Sequence, residues 1–168
     1  AEDAGIGLTL LPVLYERAGF AQPHLREDQR RFANTATDVW NAAMRIRAAQ
    51  LPLVEAGLAI HSLRGAAAES VARLRTLAEG FGGPIHIHVA EQTAEVDDCL
   101  AATGARPIEW LARNLGLDRR WQLVHATHTT PGEIDAVAAS GAGIVICPST
   151  EANLGDGVPD LTRWLDAA

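Results

Sequence analysis

The chain has 168 residues, of which 48% are hydrophobic and 21% charged, a balance that suits about one globular unit and excludes disorder or a disulfide-built miniprotein. All 14 cations are arginines and are outnumbered by 21 Asp and Glu; the net charge of −7 argues against a nucleic acid or an anionic membrane as partner. No apolar run approaches the ~20 residues a bilayer span needs, and the opening AEDAGIGLTLLP does not read as a secretory leader.

Short apolar runs alternate with helix-like segments, the pattern of βα units around a parallel sheet. Ala1–Ala4 reads as the tail of a helix leading into a strand over Ile6–Val13. Asp38–Gln50 has helical spacing, with Val39, Ala43 and Ile46 on one face. A strand over Leu58–Ser62 precedes a helix striped by Val71, Leu74 and Ala78 and closed by Gly80 and Gly82-Gly83. Ile85–Ala90 is the third strand, and Pro107 opens a helix with Ile108, Leu111 and Leu115 on one side and Gly116 at its end. Gln122–Ala126 is the fourth strand. Thr130-Pro131-Gly132-Glu133 then forms a capping box with proline at the first helical position. Gly143–Cys147 is the fifth strand, and Pro159 opens a last helix. The strands are nearly continuously apolar, as expected where both faces are covered. Cys99 and Cys147 share no metal-type spacing and read as free thiols of a reducing cytoplasm.

Polar residues gather where the strands end, which is where α/β folds place their sites. In His86-Ile87-His88-Val89-Ala90-Glu91 the two histidines share a strand face. A neutral imidazole with a carboxylate three residues on suits a metal ligand beside a proton shuttle, although HxH in a strand is as often structural. His125 closes the strand Leu123-Val124-His125, where an imidazole is expensive to bury unless it bonds or ligates. His128 lies in the loop beyond and ranks lower. His61 and Arg64 follow the second strand, and arginine is a good bidentate clamp for a carboxylate. Each of these taken singly reads as a structural hydrogen bond or ion pair; three successive strand ends carrying His or Arg point to a site. After the last strand, Cys147-Pro148-Ser149-Thr150-Glu151-Ala152-Asn153-Leu154-Gly155-Asp156-Gly157 reads as a shaped loop whose polar groups either line the same mouth or cap turns.

With these residues collected, the chain resembles the amidohydrolase superfamily, and within it the N-formimino-L-glutamate deiminases of histidine degradation. The resemblance rests on GLTLLPVLYERAGF, QRRFAN, HSLR, HIHVAEQTAEVDDCL, GARPIEWL, LVHATH and CPSTEANLGDG. It implies a metal-dependent (β/α)8 TIM barrel with one zinc at the carboxyl ends of the strands. His88 resembles the fifth-strand metal ligand, and Glu91 the proton shuttle. His125 resembles the sixth-strand histidine that supports the tetrahedral intermediate, while His61 and Arg64 resemble residues that hold the glutamate part of the substrate. The implied reaction turns N-formimino-L-glutamate and water into N-formyl-L-glutamate and ammonia.

The superfamily's first-strand HxH pair and eighth-strand Asp have no counterpart here, since no HxH precedes Ile60 and Asp166 falls in a helix. The chain therefore reads as about five βα units of a partial barrel, roughly strands 3 to 7, with little activity alone. It is expected to associate with itself or with missing pieces through open sheet edges. Two other readings stay open: a deaminase of guanine, pterin or triazine type, and a non-catalytic binding or assembly module. The 5% aromatic content offers few walls for a flat heterocycle.

Overall fold

Each expected strand pairs in parallel with its neighbours, because the helix after it carries the chain back along the sheet. The computed structural model describes residues 1–167. Its strands are β1 (Leu8–Leu10), β2 (Val13–Leu14), β3 (Val54–Ala56), β4 (Leu58–Ile60), β5 (Ile85–Val89), β6 (Trp121–His125) and β7 (Gly143–Val145). The main sheet runs β2-β4-β5-β6-β7, all parallel, and β1 pairs with β3 in a small parallel extension.

The first expected strand arrives as two pieces, β1 and β2, and the second, Leu58–Ser62, arrives as β4, preceded by β3, which was not expected. Pro12, between β1 and β2, has no amide to give to a ladder. Gly57, between β3 and β4, is pressed so closely that a Cβ there would lie 2.9 Å from the Pro84 carbonyl oxygen. Pairing nevertheless continues across both breaks, since Gly57 N–H donates to Leu10 O and Ala59 N–H to Pro12 O, each at 2.9 Å.

The helices are α1 (Ala36–Ala48), α2 (Ala68–Leu77), α3 (Thr93–Thr103), α4 (Pro107–Leu115), α5 (Pro131–Ser140), α6 (Pro148–Leu154) and α7 (Leu161–Asp166). The capping box of α5 forms as its sequence requires, with Thr130 and Glu133 exchanging side-chain and backbone bonds. Thr35 and Asp38 cap α1 in the same way. Two helices lie outside the expected set. α3 buries only Glu95, Val96 and Cys99, too thin a stripe to stand out in the sequence. α6 forms inside the stretch that reads as a loop, between Pro148 at its first turn and Gly155 in the left-handed conformation at its end. Ala1–Ala4 contributes a short 3-10 turn over Glu2–Ala4.

β5 and β6 are fully covered on one face only, whereas all three residues of β4 are buried. Ile85, Ile87 and Val89 of β5 and Trp121 and Leu123 of β6 join Val71, Leu74, Val96, Ile108, Leu111 and Ile134 of the helices in one apolar core. Each large side chain buried there contributes about 1.5–3 kcal/mol. His86, His88, Gln122 and Val124 alternate onto the other face and are half-buried. Helices outside and a polar inner face make an arc of a βα barrel. At its first edge Leu8, Leu10 and Val13 are 41%, 39% and 41% exposed. Cys99 and Cys147 are free thiols, the first buried. Among the described residues no helix is long and apolar enough to cross a membrane.

Candidate active site

The carboxyl ends of β4, β5 and β6 bring three imidazoles into a row. His61 follows β4 directly, and its ring lies edge-on to that of His88 at 5.4 Å between centroids. His88 in turn lies against His125 at 5.4 Å and an interplanar angle of 30°. The backbone holds this spacing, since His88 N–H donates to His61 O at 3.2 Å and Ala126 N–H to Val89 O at 3.1 Å. Strict alternation would send His125 toward the helices with Trp121 and Leu123. Instead φ is +74° at His125 and +48° at Ala126, which turns the chain so that the imidazole meets His88. Ala90, just past β5, has φ +50°. Left-handed backbone at non-glycine residues costs about 1–3 kcal/mol each and persists where surrounding contacts impose it.

Two buried carboxylates supply those contacts. Glu95, on the first turn of α3 and 1% exposed, accepts Ala90 N–H at 3.1 Å through Oε1 and Glu91 N–H at 3.0 Å through Oε2. Burial raises its pKa, against the two amides that favour the carboxylate. Glu151, on α6 and 2% exposed, places Oε1 3.1 Å from His125 Nδ1 and accepts Cys147 N–H on the same oxygen at 2.8 Å. On the other side of the ring, Glu91 Oε1 lies 3.4 Å from His125 Nε2. His125 is thus flanked by one carboxylate on each nitrogen, an arrangement able to pass a proton between Glu91 and the ring.

At the exit of β4 the side chains are held by shape. Tyr15 stacks on His61 at 4.3 Å and 17°, and its hydroxyl accepts Gln29 Nε2 at 2.7 Å. A Cβ at Gly65 would fall 2.8 Å from His61 Nδ1 and 2.9 Å from the Tyr15 ring, so only glycine permits this approach. Burial, then the charges of His88 and Arg64, push the His61 pKa down to about 4. Arg64 is half-buried and forms no hydrogen bond or ion pair among the described residues. It lines a cavity of about 300 Å³ together with Tyr15, Arg26, Gln29 and His61.

His88 has the chemistry of a metal ligand. Burial first, and then the neighbouring His125, lower its pKa, which keeps the imidazole neutral. Neither ring nitrogen has a partner among the described residues, whose only polar contact from His88 is through its backbone. His125, Cys147 and Glu151 also have ligand-type atoms within 4.8 Å of one another. Glu151 Oε1 already accepts Cys147 N–H and lies 3.1 Å from His125 Nδ1, which accounts for that cluster without an ion.

The structure brings His61, Arg64, His88, Glu91 and His125 together at the strand ends. His86 lies one step deeper on the same inner face, opposite Ala59 and Gln122 in the sheet. His128 serves the loops: its backbone N–H donates to Ala90 O at 2.9 Å, and its Nε2 lies 2.7 Å from Asp156 O. Asp156 also accepts Gln92 Nε2 at 3.0 Å, which ties the loop after α6 to the residue next to Glu91. Glu95 was not singled out by the sequence, and Glu151 only as one polar group in a loop. The signal for Glu95 was its spacing of four from Glu91, which reads equally well as a solvent-facing helix residue.

The profile described as the amidohydrolase family matches residues 1–167. A formimidoylglutamate deiminase of Pseudomonas aeruginosa is 50% identical over 98% of this chain and 36% of its own length. A 5-methylthioadenosine/S-adenosylhomocysteine deaminase of Nitratidesulfovibrio vulgaris is 37% identical over 64% of this chain and 24% of its own. Among solved structures, an amidohydrolase from Brucella melitensis superposes with a TM-score of 0.91 at 41% identity, over 99% of this chain and 37% of that one. An adenosine deaminase from Xanthomonas campestris with bound zinc superposes with a TM-score of 0.77 at 25% identity, over 99% of this chain and 36% of that one. The chain thus spans about a third of the proteins it matches. The polar strand ends, the one-sided sheet and these matches together assign the chain to the amidohydrolase family, as an arc of its (β/α)8 barrel.

Proposed function

We propose that this chain forms the central part of a metal-dependent hydrolase of the cytoplasm that converts N-formimino-L-glutamate and water into N-formyl-L-glutamate and ammonia, a step of histidine degradation. The observation that carries the reading is the unpartnered Arg64 beside His61, one imidazole away from the His88, Glu91 and His125 group. That spacing suits a small substrate with carboxylates at one end and the reacting carbon at the other. The half-identical deiminase of P. aeruginosa supports the same choice.

In this reading Arg64 and His61 take the substrate carboxylates, with Tyr15 fixing the His61 ring. His88 would hold a zinc ion together with ligands supplied from outside residues 1–168, since catalytic zinc takes three protein ligands and a water. Zinc, when bound, supplies hydroxide at neutral pH by lowering the pKa of its water to ~7. Glu91 accepts a proton from the attacking water and delivers it to the leaving nitrogen. The second proton comes from the hydroxyl of the tetrahedral species as the C–N bond breaks and the formyl C=O forms. Nε2 of His125 borders that transfer, where it supports the tetrahedral species before ammonia leaves.

The test is ammonia release by a full-length protein carrying this segment, with N-formimino-L-glutamate set against 5'-methylthioadenosine, guanine and a triazine. Turnover of the formimino compound alone is the expected result. A preference for any flat heterocycle overturns the substrate, and no turnover of the whole panel points to a binding module. The 168-residue chain by itself is expected to release little or no ammonia. Its open edges at β1 and β7 should make it self-associate, so light scattering from a stable monomer would count against that part.

A further inference from the structure

We infer that Glu151 is a positioning residue: its carboxylate holds the proton of His125 on Nδ1 and so leaves Nε2, the nitrogen facing Glu91, free to accept. The inference rests on the proposed role of this site, and its basis is geometric. A neutral imidazole carries one N–H, and His125 has a carboxylate at each nitrogen. The Glu151 side is the shorter, 3.1 Å against 3.4 Å for Glu91, and it alone meets hydrogen-bond geometry. Glu151 is also the more fixed partner. It is 2% exposed, and Cys147 N–H anchors the same oxygen at 2.8 Å. A ring nitrogen whose N–H meets a buried carboxylate is set in tautomer and orientation, as carboxylates behind catalytic or metal-bound histidines do elsewhere.

The consequence falls on the other nitrogen. With the proton on Nδ1, Nε2 presents a lone pair toward Glu91 Oε1. Glu151 thereby keeps the other nitrogen turned away from the mouth, and a proton donor of the substrate or a water can approach Nε2 beside Glu91. A helix-capping role alone would explain the bond from Cys147 but not the approach of the same oxygen to the ring.

The tautomer can be read in the 168-residue chain itself, by long-range proton–nitrogen correlation of 15N-labelled histidines, which distinguishes the two neutral forms from the doubly protonated ring. His125 is assigned from the spectrum of His125→Gln. The wild-type chain should show the protonated, pyrrole-type nitrogen as Nδ1. Glu151→Ala should move the proton to Nε2, the form an unconstrained histidine favours. Nε2–H in the wild-type chain, or an unchanged pattern in Glu151→Ala, would overturn the proposal. If the alanine variant does not fold, Glu151→Gln keeps an acceptor for Cys147 N–H and removes only the charge. It should shift the Nδ1 proton upfield, and an unmoved resonance would count against the role. In the complete enzyme, Glu151→Ala should lower kcat ~10–100-fold with KM little changed. A failed activity assay of the unmutated enzyme would instead strike at the substrate assignment and leave the tautomer result standing.

Discussion

The exits of β4 and β6 hold their functional side chains in opposite ways. After β4, Arg64 has no side-chain partner among the described residues, and His61 is kept in place by the face of Tyr15, the bare backbone of Gly65 and a 3.0 Å bond between its Nδ1 and the hydroxyl of its neighbour Ser62. After β6, His125 is gripped by carboxylates and sits on a left-handed backbone. On the proposed function, the difference follows from what each exit would be asked to do. A group that must meet the charges of a ligand is left with its own charge unspent, because a protein carboxylate would compete for it. A group that must keep one orientation through proton transfer is fixed by partners that do not leave. The end of β5 belongs with β6, since Glu95 fastens the backbone of Glu91 as Glu151 fastens the ring of His125.

The sharpest break of this contrast is Glu91→Gln in the complete enzyme. Loss of a general acid–base group should lower kcat by about 10²–10⁴-fold, with thermal stability nearly unchanged. Arg64→Ala should act on the other exit. Removal of a charged hydrogen-bonding group of about 1.5–3 kcal/mol should raise KM for the dicarboxylate about 10–100-fold. Because the Arg64 side chain bonds nothing among the described residues, urea unfolding of the 168-residue chain should move by no more than about 0.5 kcal/mol. A large loss of stability there would show that Arg64 has a structural partner and would erase the contrast.

Glu95→Ala tests the gripped side by stability. It leaves two buried N–H groups without an acceptor, and the chain should lose about 1–3 kcal/mol in urea unfolding. An unaffected midpoint would mean that water replaces the carboxylate. A further effect is expected in pH dependence. His61 is held neutral in the fold, its pKa lowered from 6.5 to about 4 by burial first. The unfolded chain therefore binds this proton first as pH falls. The stability contributed by neutral His61 is complete above the ordinary histidine value and is lost as pH drops toward about 4. His61→Gln should flatten that part of the urea midpoint against pH; an identical slope would place the acid sensitivity elsewhere.

The legible part of the molecule is the part encoded locally. Pro107, Thr130, Glu133 and Gly141 mark helix ends because capping is satisfied within a few residues. Apolar runs over residues 85–89 and 121–125 mark central strands, and the histidines at their ends mark a site. Cover on one face rather than two was not legible, because alternation of Ile85, His86, Ile87 and His88 reads as a polar inner lining only once the helices are seen on one side. α6 was hidden by its composition, since CPSTEANLGDG has the small and polar residues of a loop.

The sequence by itself determined the βα order, the parallel sheet, the family resemblance and which polar side chains gather at the strand ends. Those properties depend on residue type and short spacing. The tertiary structure decided how the side chains are aimed and held. Glu151 reaches His125 across 26 positions of chain, and Glu95 turns inward from a helix whose remaining acids face solvent. Such contacts depend on sheet register and on left-handed turns at Ala90 and His125, where several bonds together impose a backbone that neither residue favours alone.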